Sequence, residues 1–135
     1  MRHLLPFAAI SLLLASCSAP PRQPQRFGSV IGLRDDKVEE YRGLHKAVWP
    51  EVMKAVRDAN IRNYSIYLHR LPDGNLYLFS YLEYVGQDHE ADMRKLAANA
   101  KVKEWWKLTD PCQQPLAGRK PGEWWAAMEE VSHQD

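Results

Sequence analysis

The sequence predicts an α+β domain, and two patterns carry that reading. Residues 37–60 place apolar side chains at helical spacing. Residues 61–85 alternate with period two on either side of a tight turn. The two periods cannot belong to one element type, so helix and sheet must pack together.

Taken in order, residues 27–33 (FGSVIGL) form a short apolar run with two glycines, a first strand. Asp35 or Asp36 suits a helix cap. Val38, Tyr41, Leu44, His45 and Val48 then lie three or four apart, as do Val52, Val56 and Ala59. Pro50 interrupts them, and a proline inside a helix costs about 3 kcal/mol. One helix is therefore expected to end near Val48 and a second to start with Pro50 in its first turn, where Glu51 suits the helix dipole. Residues 61–71 and 76–85 read as strands joined by Pro72-Asp73-Gly74-Asn75, a hairpin. Residues 87–99 and 101–108 read as helices ended by Asp110-Pro111, and residues 113–122 as loop. Residues 124–131 fit strand or helix. As a strand they complete the split β-α-β of a ferredoxin-like plait. Two helices cover one face of such a sheet, and a second subunit is the expected cover for the other.

The chain has 135 residues, room for one domain of roughly 100 residues. Eighteen Lys and Arg balance 17 Asp and Glu, which argues against nucleic acid as a partner. Residues 1–16 are a candidate secretory signal: Arg2 and His3, an apolar run from Leu4 to Leu14, then Ala15 and Ser16. That run, about 11 residues, is too short to span a bilayer, which takes roughly 20. Leu14-Ala15-Ser16-Cys17 resembles a bacterial lipobox, so Cys17 is expected to carry lipid; the alternative is an ordinary signal peptide with an incidental cysteine. Cleavage leaves 17 basic and 17 acidic residues, so lipid and not charge would hold the chain to a bacterial envelope membrane, outside the cytoplasm. Residues 17–26 carry three prolines, a semi-rigid spacer before a domain over residues 27–135. With Cys17 lipidated, Cys112 has no partner for a disulfide.

No metal, P-loop or nucleophile-elbow template occurs, and no cofactor or metal is expected. What remains is an aromatic and hydroxyl cluster around one histidine. Tyr41 and His45 share a helix face, with Trp49 four further on. Such a stripe is either core or site. Trp105 and Trp106 point about 100° apart on a helix. One can sit in the core while the other lines a cavity, and indole suits a sugar because it offers an apolar face and one N–H. Trp124 and Trp125 read as structural or as part of a dimer seam.

Tyr41 through Glu51 (YRGLHKAVWPE) resembles the Y-x-x-x-H-x-x-x-W-P-E segment of L-rhamnose mutarotases. Asn63 through Leu68 resembles that family's N-Y-x-I-Y-L strand, Trp105-Trp106-Lys107 its W-W-K, and Met128 through Val131 its closing E-V strand. The resemblance spans residues 27–131 in order. It implies a dimeric ferredoxin-like α/β barrel, a cofactor-free isomerase (an aldose 1-epimerase), His45 as proton donor, and Tyr41, Tyr64, Trp105 and Trp106 as sugar-binding residues. The expected reaction interconverts α and β anomers of a deoxyhexose, L-rhamnose or L-fucose, by acid–base ring opening. The export signal and the polar ending Ser132-His133-Gln134-Asp135 depart from the family pattern. Three other readings stay open: a non-catalytic sugar-binding envelope lipoprotein, a cofactorless monooxygenase-like barrel, and a purely structural envelope lipoprotein.

Overall fold

A computed structural model describes residues 23–134. The candidate signal segment and Cys17 lie outside the described residues. The elements are β1 (Gln25–Leu33), α1 (Val38–Lys46), α2 (Pro50–Asp58), β2 (Ile61–Arg70), β3 (Leu76–Tyr84), α3 (His89–Ala98), α4 (Ala100–Thr109), β4 (Gln113–Gln114) and β5 (Ala126–Met128). Single turns of 3-10 helix precede α1 and follow α4.

The sheet runs β2-β3-β1-β4, with β5 also on β1, and every pairing is antiparallel. This is the strand order of the expected ferredoxin-like plait. β1 and β3 pair along their full lengths, from Gln25 opposite Tyr84 to Leu33 opposite Leu76. β1 begins two residues inside the stretch read as spacer. It is tied down there by Arg26, whose guanidinium donates to Glu130 at 2.8 and 3.2 Å.

Local chemistry sets the element ends. Pro50 opens α2, as expected from its missing N–H and fixed φ. Asn60 closes α2 in the left-handed region (φ 59°), where asparagine is tolerated. Asp88 and Asn99 cap α3 and α4 through their side-chain oxygens. In the hairpin, Gly74 takes φ 84°, and Asp73 accepts from the Asn75 amide at 3.0 Å.

Two features depart from the sequence reading. The closing strand is split. Residues 113–114, read as loop, pair with Gly32 and Leu33, and residues 126–128 alone pair with Gly28 to Val30. Of the stretch read as strand from Trp124 to Val131, only Ala126–Met128 joins the sheet. A Cβ on Gly32 would lie 2.7 Å from the Gln114 carbonyl oxygen, so this close pairing requires glycine. Secondly, β2 carries a bulge between Arg62 and Ser65, with Asn63 at φ 48°. Ile61 and Ile66 are five residues apart, yet both face the helices. The bulge absorbs the odd residue and keeps Tyr64 on that side with them.

The core is Ile31, Leu33, Tyr41, Leu76, Leu78 and Cys112, with Trp125 packed against it. Cys112 is a fully buried free thiol. The other sheet face carries Val30, Tyr67, Phe79, Tyr81 and Met128, with Tyr67 63% exposed. Among the described residues no helix is long and apolar enough to cross a membrane.

Ile31 is fully buried, in the central strand and away from the cavity described below. Ile31→Ala is expected to cost about 2–5 kcal/mol and Ile31→Val about 0.5–1.5 kcal/mol in urea unfolding. An Ile31→Ala loss below that of Ile31→Val would contradict this placement of the core.

Candidate active site

Between the helices and the inner face of β2 and β3 lies a cavity of about 920 Å³. That is near the top of the usual ligand-pocket range of about 300–1,000 Å³. Tyr41, His45, Tyr64, Trp105 and Trp106 all line it, so residues from α1, β2 and α4 converge on one space. Trp49 is not part of the lining. It stands edge-on to Trp105 with ring centroids 5.4 Å apart and backs that indole.

His45 is held on three sides. Its ring stacks on Tyr41 at 4.1 Å and meets the Trp105 indole edge-on at 5.4 Å. Nδ1 lies 3.1 Å from the Tyr41 backbone carbonyl, one helical turn back. A carbonyl only accepts, so Nδ1 carries the proton and Nε2 keeps its lone pair. Burial pushes the imidazole pKa below its ordinary value, and the bond to Tyr41 only partly offsets that. The resting histidine is therefore neutral at pH 7, with Nε2 as a proton acceptor.

The two tyrosines differ. Tyr41 is 4% exposed, and its buried hydroxyl has no hydrogen-bond partner among the described residues. Burial pushes its phenol far above the ordinary value, so it stays protonated. Tyr64 borders open space in the cavity and is 47% exposed. Desolvation beside the cavity walls raises its phenol's pKa too. The tryptophans split as their spacing suggests: Trp105 is 6% exposed and Trp106 38%, so one is a buried wall and the other sits at the mouth.

The remaining lining is apolar, including Val52, Val56, Leu82, Met93 and Leu96, or basic: Arg42, Lys46, Arg57 and Arg62. No Asp or Glu lines the cavity among the described residues. His45 is thus the one lining group whose ordinary pKa lies near neutrality. No cluster of three or more potential metal ligands occurs among the described residues. His69, His89 and His133 lie outside the lining, and His89 stacks on Phe27 at 4.4 Å.

Sequence reasoning missed one contributor to the lining. The apolar wall on α2 read only as a core stripe.

Known proteins resemble this chain in sequence and in fold. The family profile of L-rhamnose mutarotase matches residues 26–134. The L-rhamnose mutarotase of Lactiplantibacillus plantarum is 33% identical over 110 residues, covering 82% of this chain and 98% of that protein. That of Bacillus subtilis is 33% identical over 97 residues, covering 72% and 88%. The crystal structure of an L-rhamnose mutarotase from Formosa agariphila superposes with a TM-score of 0.61 at 24% identity, over 82% of this chain and 99% of that one, a likeness of fold.

Proposed function

The chain belongs to the L-rhamnose mutarotase family of isomerases, and on that premise we propose that it interconverts the anomers of L-rhamnose by acid–base ring opening at His45. The observation that carries the mechanism is the tautomer of His45, with Nδ1–H committed to the Tyr41 carbonyl and Nε2 left for the sugar.

In ring opening, Nε2 takes the proton of the anomeric hydroxyl. C1 becomes the aldehyde carbonyl as the C1–O5 bond breaks, and the electron pair of that bond goes to O5. The imidazolium then gives its proton to O5. O1 and O5 are both bonded to C1, so one imidazole reaches both. Rotation about C1–C2 presents the other carbonyl face, and the reverse steps close the ring with opposite configuration. No proton or electron is gained overall. His45 thus donates a proton only after it has taken one, a refinement of the donor role implied by resemblance. General acid–base assistance of this kind contributes about 10²- to 10⁴-fold. Tyr41 and Tyr64 orient sugar hydroxyls, while Trp105 and Trp106 hold the ring. L-Fucose, which shares the C6 methyl of L-rhamnose and differs in hydroxyl configuration, is a second candidate substrate. No observation favours a monooxygenase.

Two further proposals accompany this one. The exposed aromatic face of the sheet is the seat of a second copy, giving the dimeric barrel. Cys17 is the site of lipid attachment, placing the domain outside the cytoplasm on the envelope.

His45→Ala is expected to abolish catalysed anomer exchange in exchange NMR with L-rhamnose, while quenching of tryptophan fluorescence by the sugar persists. Unchanged exchange would refute the role of His45, and sugar binding without exchange in the unaltered protein would make it a non-catalytic binder. Tyr67→Glu with Met128→Glu is expected to convert a dimer to a monomer in sedimentation; a monomeric parent protein would refute the dimer. Mass spectrometry of the full chain from a bacterial envelope is expected to find a diacylglycerol-modified Cys17, lost in Cys17→Ser; an unmodified, soluble chain would refute the anchor.

A further inference from the structure

The permanently charged side chains around the cavity are all cations: Arg42, Lys46, Arg57 and Arg62, with no Asp or Glu among the described residues. Lysine and arginine only donate hydrogen bonds, and so does an indole N–H. Oxygen and nitrogen acceptors among the lining side chains are confined to His45 and the two phenols. A neutral sugar, whose hydroxyls donate and accept alike, makes no use of net charge. This balance suits a ligand that brings acceptors and negative charge.

Two of the cations meet at one corner. Arg57 lies in the last turn of α2 and Arg62 at the start of β2. Arg62 Nη1–H donates to the Arg57 and Ile61 carbonyls, both at 2.8 Å, which fixes its guanidinium against that corner. The acids best placed to neutralise the corner are engaged elsewhere. Asp58, beside Arg57 in the chain, accepts from Lys54 at 2.6 Å. Glu83, opposite Arg62 across the sheet, accepts from Asn63 at 2.7 Å and from Tyr81 at 2.9 Å. Neither Arg57 nor Arg62 forms a salt bridge among the described residues. On α1, Arg42 and Lys46 stand one turn apart, a like-charge spacing that weakens a helix slightly. Size points the same way. A cavity of about 920 Å³ is a site for a drug-sized ligand, and one deoxyhexose ring leaves much of it unfilled.

We propose that the substrate is an acidic saccharide: L-rhamnose at the reducing end, its anomeric carbon at His45, and a neighbouring uronic acid unit whose carboxylate is held by Arg57 and Arg62. The link between the units uses a hydroxyl other than the anomeric one, so that C1 still opens. Arg42 and Lys46 add positive potential at the rim. The inference rests on the reading of the cavity as a mutarotase site.

The test compares three ligands on the full chain by tryptophan fluorescence: L-rhamnose, a uronosyl-L-rhamnose disaccharide, and the same disaccharide with its carboxyl group reduced to the alcohol. At low ionic strength the acidic disaccharide is expected to bind about tenfold more tightly than its reduced form, the scale of one hydrogen bond to a charged group. Salt at about 1 M is expected to shrink that gap. Arg57→Gln and Arg62→Gln are each expected to narrow it, and Arg57→Lys, which keeps the charge, to retain most of it. The two disaccharides differ only at the carboxyl group, so their ratio in each variant reads the contact and not the variant's stability. Equal affinity for both in the unaltered protein, or a gap that both glutamine variants leave whole, would overturn the proposal. Anomer exchange of L-rhamnose is measured in parallel. Exchange without a gap keeps the proposed reaction and removes the acidic substrate; a gap without exchange removes the reaction and keeps the acidic ligand.

Discussion

The bond from His45 Nδ1–H to the Tyr41 carbonyl settles which imidazole nitrogen is left free, and the proposed chemistry follows from that one contact. It joins residues four apart on a helix, so its geometry comes from the helix itself and not from a distant loop. The Tyr41 ring stacked beneath and the Trp105 edge beside it remove the imidazole's remaining freedom. A proton-transfer group held in this way loses little on meeting a substrate. Tyr41 serves two ends at once: core residue and backbone anchor for the histidine.

The same packing sets the charge state. Burial disfavours imidazolium, and no carboxylate in the lining restores it. A carboxylate there would raise the histidine's pKa and give it the proton at rest. With no carboxylate beside it the resting imidazole is neutral, the state in which the proposed mechanism uses it as a base before it returns the proton. The two phenols are pushed the other way, so they hold their protons.

How far these features were legible depends on the range over which each is determined. Pro50, Gly74 and Asp73 act within a few residues, so the helix break and the hairpin turn were plain in the sequence. The Tyr41–His45 pairing was visible for the same reason. Long-range determinants were hidden. The bulge at Asn63 shows only when Ile61 and Ile66, five apart, are found on one face. The split of the closing strand depends on how closely Gly32 and Gln114 approach. Gln113 looked like loop because two residues carry no period. The bond from Trp124 Nε1–H to Gln113 was hidden because the partner is eleven positions back and across the sheet edge. The family motifs reached the cavity residues but none of these supports.

The pH dependence of kcat for L-rhamnose anomer exchange tests the central claim most directly. A neutral His45 acting as base, with its pKa held below about 6.5 by burial, predicts a rate that is flat above neutrality and falls as pH drops through that lowered pKa. A rate that instead falls as pH rises through this range, or that stays level as the imidazole titrates, would contradict it.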